Sequence, residues 1–127
     1  MGQRHVAIVE ALIERWNRGE HDAAAIGNHV DPAVELESPL SSLAGEPYRG
    51  YEGVEGWIQD LDEQFAEWVI GLDRIRTSRH QVIVVVTVNA TGRASGAPVA
   101  FPARAEFDFG NDGLINRVRI GLDVGEE

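Results

Sequence analysis

Apolar residues recur at three- and four-residue steps near the start of the chain: Val6, Val9, Leu12, Ile13 and Trp16. That spacing winds onto one stripe and predicts a helix over residues 3–18. Asn17-Arg18-Gly19 closes it, with Gly19 able to take the left-handed backbone of a helix C-terminus. A shorter helix is expected over residues 22–29. Its acidic start suits the positive end of the helix dipole, and Asp31-Pro32 stops it. A second long stripe, Val54, Trp57, Ile58, Leu61, Phe65 and Trp68, predicts a third helix over residues 51–68, with most of its acidic residues on the wet side.

Elsewhere the period is two. Val34-Glu35-Leu36-Glu37-Ser38 alternates and predicts a strand, followed by a loop over residues 39–50 that carries two prolines, two serines and two glycines. A strand is expected over residues 69–77. Residues 82–90 are β-branched and apolar on both faces, which places them inside a sheet or at a subunit interface. Residues 101–109 and 114–122 flank Gly110-Asn111-Asp112-Gly113, a hairpin signal. Ala103, Ala105, Phe107 and Phe109 share one face of that hairpin with Val118, Ile120 and Leu122. The other face sets Arg104, Glu106 and Asp108 against Arg117 and Arg119 in cross-strand pairs, each worth little in water. Helices first and antiparallel strands afterwards predict an α+β fold with helices packed on one sheet face.

The 127 residues suit a single domain, residues 1–127, large enough for a core without staples. Cysteine is absent, which removes disulfides, thiolate nucleophiles and Cys-ligated zinc and fits a reducing, cytoplasmic setting. With 21 acidic residues against 11 basic ones the formal charge is −10, so a nucleic-acid backbone or an anionic membrane surface would be repelled. No apolar run is long enough to span a bilayer, and Glu10, Glu14 and Arg15 interrupt any signal-like stretch.

Several phrases resemble one family in the order that family uses them. Trp16-Asn17-Arg18-Gly19-Glu20 looks like the close of a SnoaL-like first helix, and Asp31-Pro32-Ala33-Val34-Glu35 is similar to the entry into the first strand. Tyr48-Arg49-Gly50-Tyr51-Glu52-Gly53-Val54 resembles the opening of the long helix, while Asp112-Gly113-Leu114-Ile115 and Leu122-Asp123 resemble the last hairpin and the end of the last strand. The resemblance, to SnoaL-like (polyketide cyclase-like) proteins of the nuclear-transport-factor-two-like superfamily, implies a cone. In it a strongly curved, mostly antiparallel sheet carries three helices on its concave face, in a cystatin-like roll around an apolar pocket. The fold hosts cyclases, isomerases, hydrolases and binding proteins, so it does not choose an activity.

The residues themselves argue against the familiar chemistries. A ketosteroid-isomerase-like reaction needs a carboxylate base, a tyrosine and a neutral carboxylic acid. The resemblance puts those positions at Ser38, Leu12 and Ala105. The final-strand acid of an epoxide-hydrolase-like site corresponds to Ile120. Asp73, Asp123 and His29 are the remaining candidates for an acid or base in a SnoaL-like pocket, each more simply read as a surface group. His21 and His29 stand too far apart for the three- or four-residue step of helical metal ligands, and no metal or cofactor is implied. Ser95 lacks the glycines of a nucleophile elbow.

What remains is an apolar and aromatic set. Trp16, Trp57, Phe65 and Phe107 are expected to wall a pocket, with Ser38, Tyr48 and Tyr51 as its polar points. The chain is expected to bind a small, largely apolar ring compound. Any activity would be cofactor-independent acid/base isomerisation, cyclisation or hydration. The alternative is a non-catalytic dimeric module, joined as a homodimer through the outer sheet face.

Overall fold

A computed structural model describes residues 2–19, 29–38 and 47–122 of the chain. Helix α1, Gly2–Asn17, follows the first apolar stripe, with Val9 fully buried. It ends as its sequence dictates: Gly19 adopts a φ of 87° and donates its N–H to the Trp16 carbonyl at 2.9 Å. The short helix expected over 22–29 lies outside the described residues, apart from His29, which sits in a turn. Strand β1, Val30–Glu37, buries Val34 and Leu36 on one face, and the two-residue strand β2, Tyr48–Arg49, pairs with it.

Helix α2, Gly50–Gln64, buries Val54 and Ile58. It begins at Gly50, whose φ of 71° and close approach to the Pro32 carbonyl leave no comfortable place for a Cβ. It stops at Gln64, short of the expected Trp68. The reason is tertiary. Arg93, far along the chain, donates its backbone N–H to the Gln64 carbonyl at 2.9 Å, its Nε to Asp62 O at 2.7 Å and its Nη2 to Phe65 O at 3.1 Å. One arginine thus takes two carbonyls of the last helical turn, Asp62 and Gln64, and that of Phe65 just beyond it. The stripe residues Phe65 and Trp68 belong instead to strand β3, Phe65–Ser78, where they pair opposite Gly92 and Ala90.

Strands β4 (Gln81–Gly92), β5 (Pro98–Phe109) and β6 (Ile115–Leu122) complete one six-stranded sheet in the order β2-β1-β6-β5-β4-β3. Four of the neighbouring pairs are antiparallel and one, β1 with β6, is parallel. The sheet is therefore mixed and curved, and the fold is α+β of the expected kind. Among the described residues it carries two helices where three were expected. The doubly apolar segment is the inner strand β4: Val82, Val84, Val86, Val88 and Ala90 are buried on the core face.

The last hairpin turns at residues 110–113, where Gly113 has a φ of 83° and the Asp112 side chain accepts the Leu114 N–H. On its outer face Arg119 meets Glu106 at 3.0 Å as expected. Arg117 pairs with Glu37 of β1 at 2.9 Å, and Asp108 accepts from Gln81 at 2.8 Å. No described helix is long and apolar enough to cross a membrane.

Candidate functional site

Between the two helices and the inner sheet face lies a cavity of about 190 Å³, partly open to solvent. Leu12, Ile13, Arg15 and Trp16 line it from α1, and Val54, Trp57 and Ile58 from α2. The floor is the core face of the sheet. Trp68 and Ile70 come from β3, Val84, Val86 and Val88 from β4, and Ala103, Ala105 and Phe107 from β5. Val118 and Ile120 of β6 and the buried valines of β1 close the far side. The lining surface is carbon almost throughout. Arg15 is its one charged residue among those described, and it contributes the hydrocarbon stem of its side chain.

All three tryptophans of the chain meet at this wall. Trp16 and Trp68 stand edge to face with centroids 4.3 Å apart, and Trp57 lies 5.6 Å from Trp16, tilted to it, and 6.2 Å from Trp68, edge to face. These are the arrangements that the ring quadrupole favours. Two hydrogen bonds brace the cluster from outside. The Asn17 amide donates to Ile70 O and accepts from Ile70 N, each at 2.8 Å.

Of the residues expected to form a site, Trp16, Trp57 and Phe107 line the cavity. Phe65 is half-buried at the start of β3 and does not line it; its altered place follows from the early end of α2. The expected polar points do not face the cavity either. Ser38 is buried at the end of β1, outside the lining. Tyr51 donates its hydroxyl to Val30 O at 2.7 Å. Tyr48 donates to Asp60 Oδ2 at 2.7 Å, and burial, together with that bonded carboxylate, pushes its pKa up to about 12.

Asp73 is exposed on β3 and accepts from Thr87 Oγ1 at 2.7 Å, on the outer side of the sheet. His29 lies in the turn before β1, where its carbonyl accepts the Ile115 N–H. Asp123 lies outside the described residues. Three of the four positions aligned with the family's tyrosine and acids, all but Ser38, are more telling. Leu12, Ala105 and Ile120 all line the cavity, and all present only carbon. Among the described residues no cluster of His, Asp and Glu is placed to hold a metal ion.

Sequence reasoning assigned neither Trp68 nor Ile70 to the pocket: the apolar period puts Trp68 on the buried stripe of a helix that ends earlier, and Ile70 falls simply within the strand expected over residues 69–77. It also left His5 without a role. His5 is 5% exposed and stacks flat on Phe109, with centroids 4.0 Å apart and planes 10° off parallel. Burial, and then nearby positive charge including His80 and Arg4, holds its pKa below the usual imidazole value.

The sequence matches the SnoaL-like domain over residues 9–118. The chain belongs to the SnoaL-like domain family. No curated protein matches its sequence. Solved structures do match its fold. An NTF2-like protein of unknown function from Burkholderia pseudomallei K96243 superposes with a TM-score of 0.82 at 18% identity, covering 94% of this chain and 90% of that one. A candidate SnoaL-like polyketide cyclase from Jannaschia sp. CCS1 gives 0.83 at 15% identity, covering 97% and 88%. An LEH-like epoxide hydrolase of M. tuberculosis gives 0.73 at 15% identity, covering 97% and 85%. At such identities the likeness is one of fold, and the described lining of this SnoaL-like chain's cavity carries no acid.

Proposed function

We propose that this SnoaL-like domain binds a small, largely apolar ring compound in the cavity between its helices and sheet. One observation carries the proposal: a hollow walled by three tryptophans and aliphatic side chains is left open where a purely structural core would be filled. Binding is favoured over turnover, because the described lining offers no carboxylate, imidazole or hydroxyl to move a proton. Neighbours described as a cyclase and an epoxide hydrolase support a small-molecule role at the level of the family. Titrating the protein with limonene, menthone and limonene oxide while following tryptophan emission tests the proposal. Saturable changes with one-site stoichiometry are expected; emission that never saturates with any of them defeats it.

A second property rests on a different observation. The outer sheet face carries Glu35, Glu37, Glu106 and Asp108 against Arg49, Arg104, Arg117 and Arg119, and ion pairs at 2.9–3.5 Å join the three glutamates to the four arginines. On β1, β2, β5 and β6 four acids and four arginines cancel on this face of a chain of net charge −10. Two copies would repel one another least here, which supports a homodimer through the outer face. Light scattering is expected to give twice the chain mass, and Arg119→Glu to shift the protein toward monomer. A monomeric parent protein removes this reading and leaves the pocket untouched.

A further inference from the structure

Resting on the pocket reading above, we infer that the natural guest is a neutral, hydrocarbon-like ring whose buried part carries no hydrogen-bonding group. Size comes first. The cavity holds about 190 Å³, whereas an engineered dry cavity of about 150 Å³ admits benzene. One six-membered ring with a few further carbons fits, and a fused polycyclic skeleton does not.

Polarity decides the rest. A hydroxyl or carbonyl carried into this cavity loses its water and must find a partner. The described residues present almost no polar surface to it, and the indole nitrogens of Trp16 and Trp68 in its wall are themselves buried. Polar side chains nearby are engaged elsewhere. The Tyr51 hydroxyl is on Val30 O, the Tyr48 hydroxyl on Asp60, and both ends of the Asn17 amide on Ile70. The floor is sheet, and its backbone groups are spent on the strand ladders. Arg15, in the last turn of α1, adds almost no polar surface to the lining. An anionic guest would also have to approach a protein of charge −10. The carbon at Leu12, Ala105 and Ile120 thus does more than remove an acid/base: it makes the site selective against oxygenated rings.

The test uses three compounds on one skeleton: p-cymene, thymol (the same skeleton with one ring hydroxyl) and 4-isopropylbenzoate, each titrated by tryptophan emission. The expected order is p-cymene first, thymol weaker by about tenfold or more, as an unpartnered buried hydroxyl implies, and the benzoate without measurable binding. Thymol or the benzoate binding as tightly as p-cymene overturns the inference while leaving a ligand pocket in place. Failure of all three to bind defeats the pocket reading itself. The variant Val86→Thr separates partner loss from simple partition out of water. A threonine hydroxyl on the cavity floor should narrow the gap between p-cymene and thymol, and an unchanged gap would also overturn the inference.

Discussion

The side-chain amide of Asn17 closes both backbone groups of Ile70, donating to its carbonyl and accepting its N–H at 2.8 Å each. Strand β3 is a sheet edge, and a side chain here does the work of a neighbouring strand. Because Asn17 follows Trp16 and Ile70 lies two residues beyond Trp68, this bond sets how the end of α1 meets the tryptophan wall. Asn17→Ala should cost about 1–2 kcal/mol, since water can replace part of what is lost at this exposed spot. Asn17→Asp keeps only the bond from the Ile70 N–H and should fall between the two. Urea unfolding gives the stabilities, and tryptophan emission should shift to the red in the alanine variant as the wall loosens.

Arg93 is expected to matter more than an exposed arginine ordinarily does. It gives its Nε and Nη2 hydrogens to carbonyls at the end of α2 and lies at the negative pole of that helix. Arg93→Ala should lower stability by about 1.5–3 kcal/mol, with Arg93→Lys recovering part through charge alone. Thermal and chemical unfolding of the three proteins checks the order.

That same arginine shows where the sequence stops being readable. The first helix, the inner strand β4 and the last hairpin are written locally, in a stripe with a terminal glycine, a run of valines and a Gly-Asn-Asp-Gly turn. The end of α2 is not. Phe65 and Trp68 continue its apolar period, and only Arg93 and the partners Gly92 and Ala90 on β4 turn them into a strand. The site divides in the same way. Trp16, Trp57 and Phe107 reach the cavity because their elements' inward faces follow from periodicity. Tyr48 and Tyr51 do not supply polar points, because Asp60 and the Val30 carbonyl capture their hydroxyls, and no local pattern announces either partner.

His5 makes stability fall on the acid side. Its pKa in the fold lies below the ordinary 6.5, so the unfolded chain binds the proton more readily. The sign follows: nothing is lost above pH 6.5, and stability declines as pH drops below it, levelling once the folded imidazole also protonates. His5→Phe, which keeps a ring against Phe109, should flatten the stability profile between about pH 6.5 and 5, above the range where most carboxylates titrate. Urea midpoints at half-unit pH steps compare the two proteins.

Filling the hollow should separate stability from binding. Ala105 lines the cavity from β5, and Ala105→Leu places added carbon into the empty space without displacing a polar group. A gain of about 0.5–2 kcal/mol is expected, together with loss of the emission response to p-cymene. A variant that is destabilised and still binds would mean that the space is not where the guest goes.

The most direct measurement is a crystal structure of the protein grown with p-cymene. The account predicts ring-shaped density bounded by Trp16, Trp57, Phe107 and Ile120, with the walls where they stand without a guest. A hollow closed by inward movement of the tryptophans, or one still empty at saturating p-cymene, would contradict it.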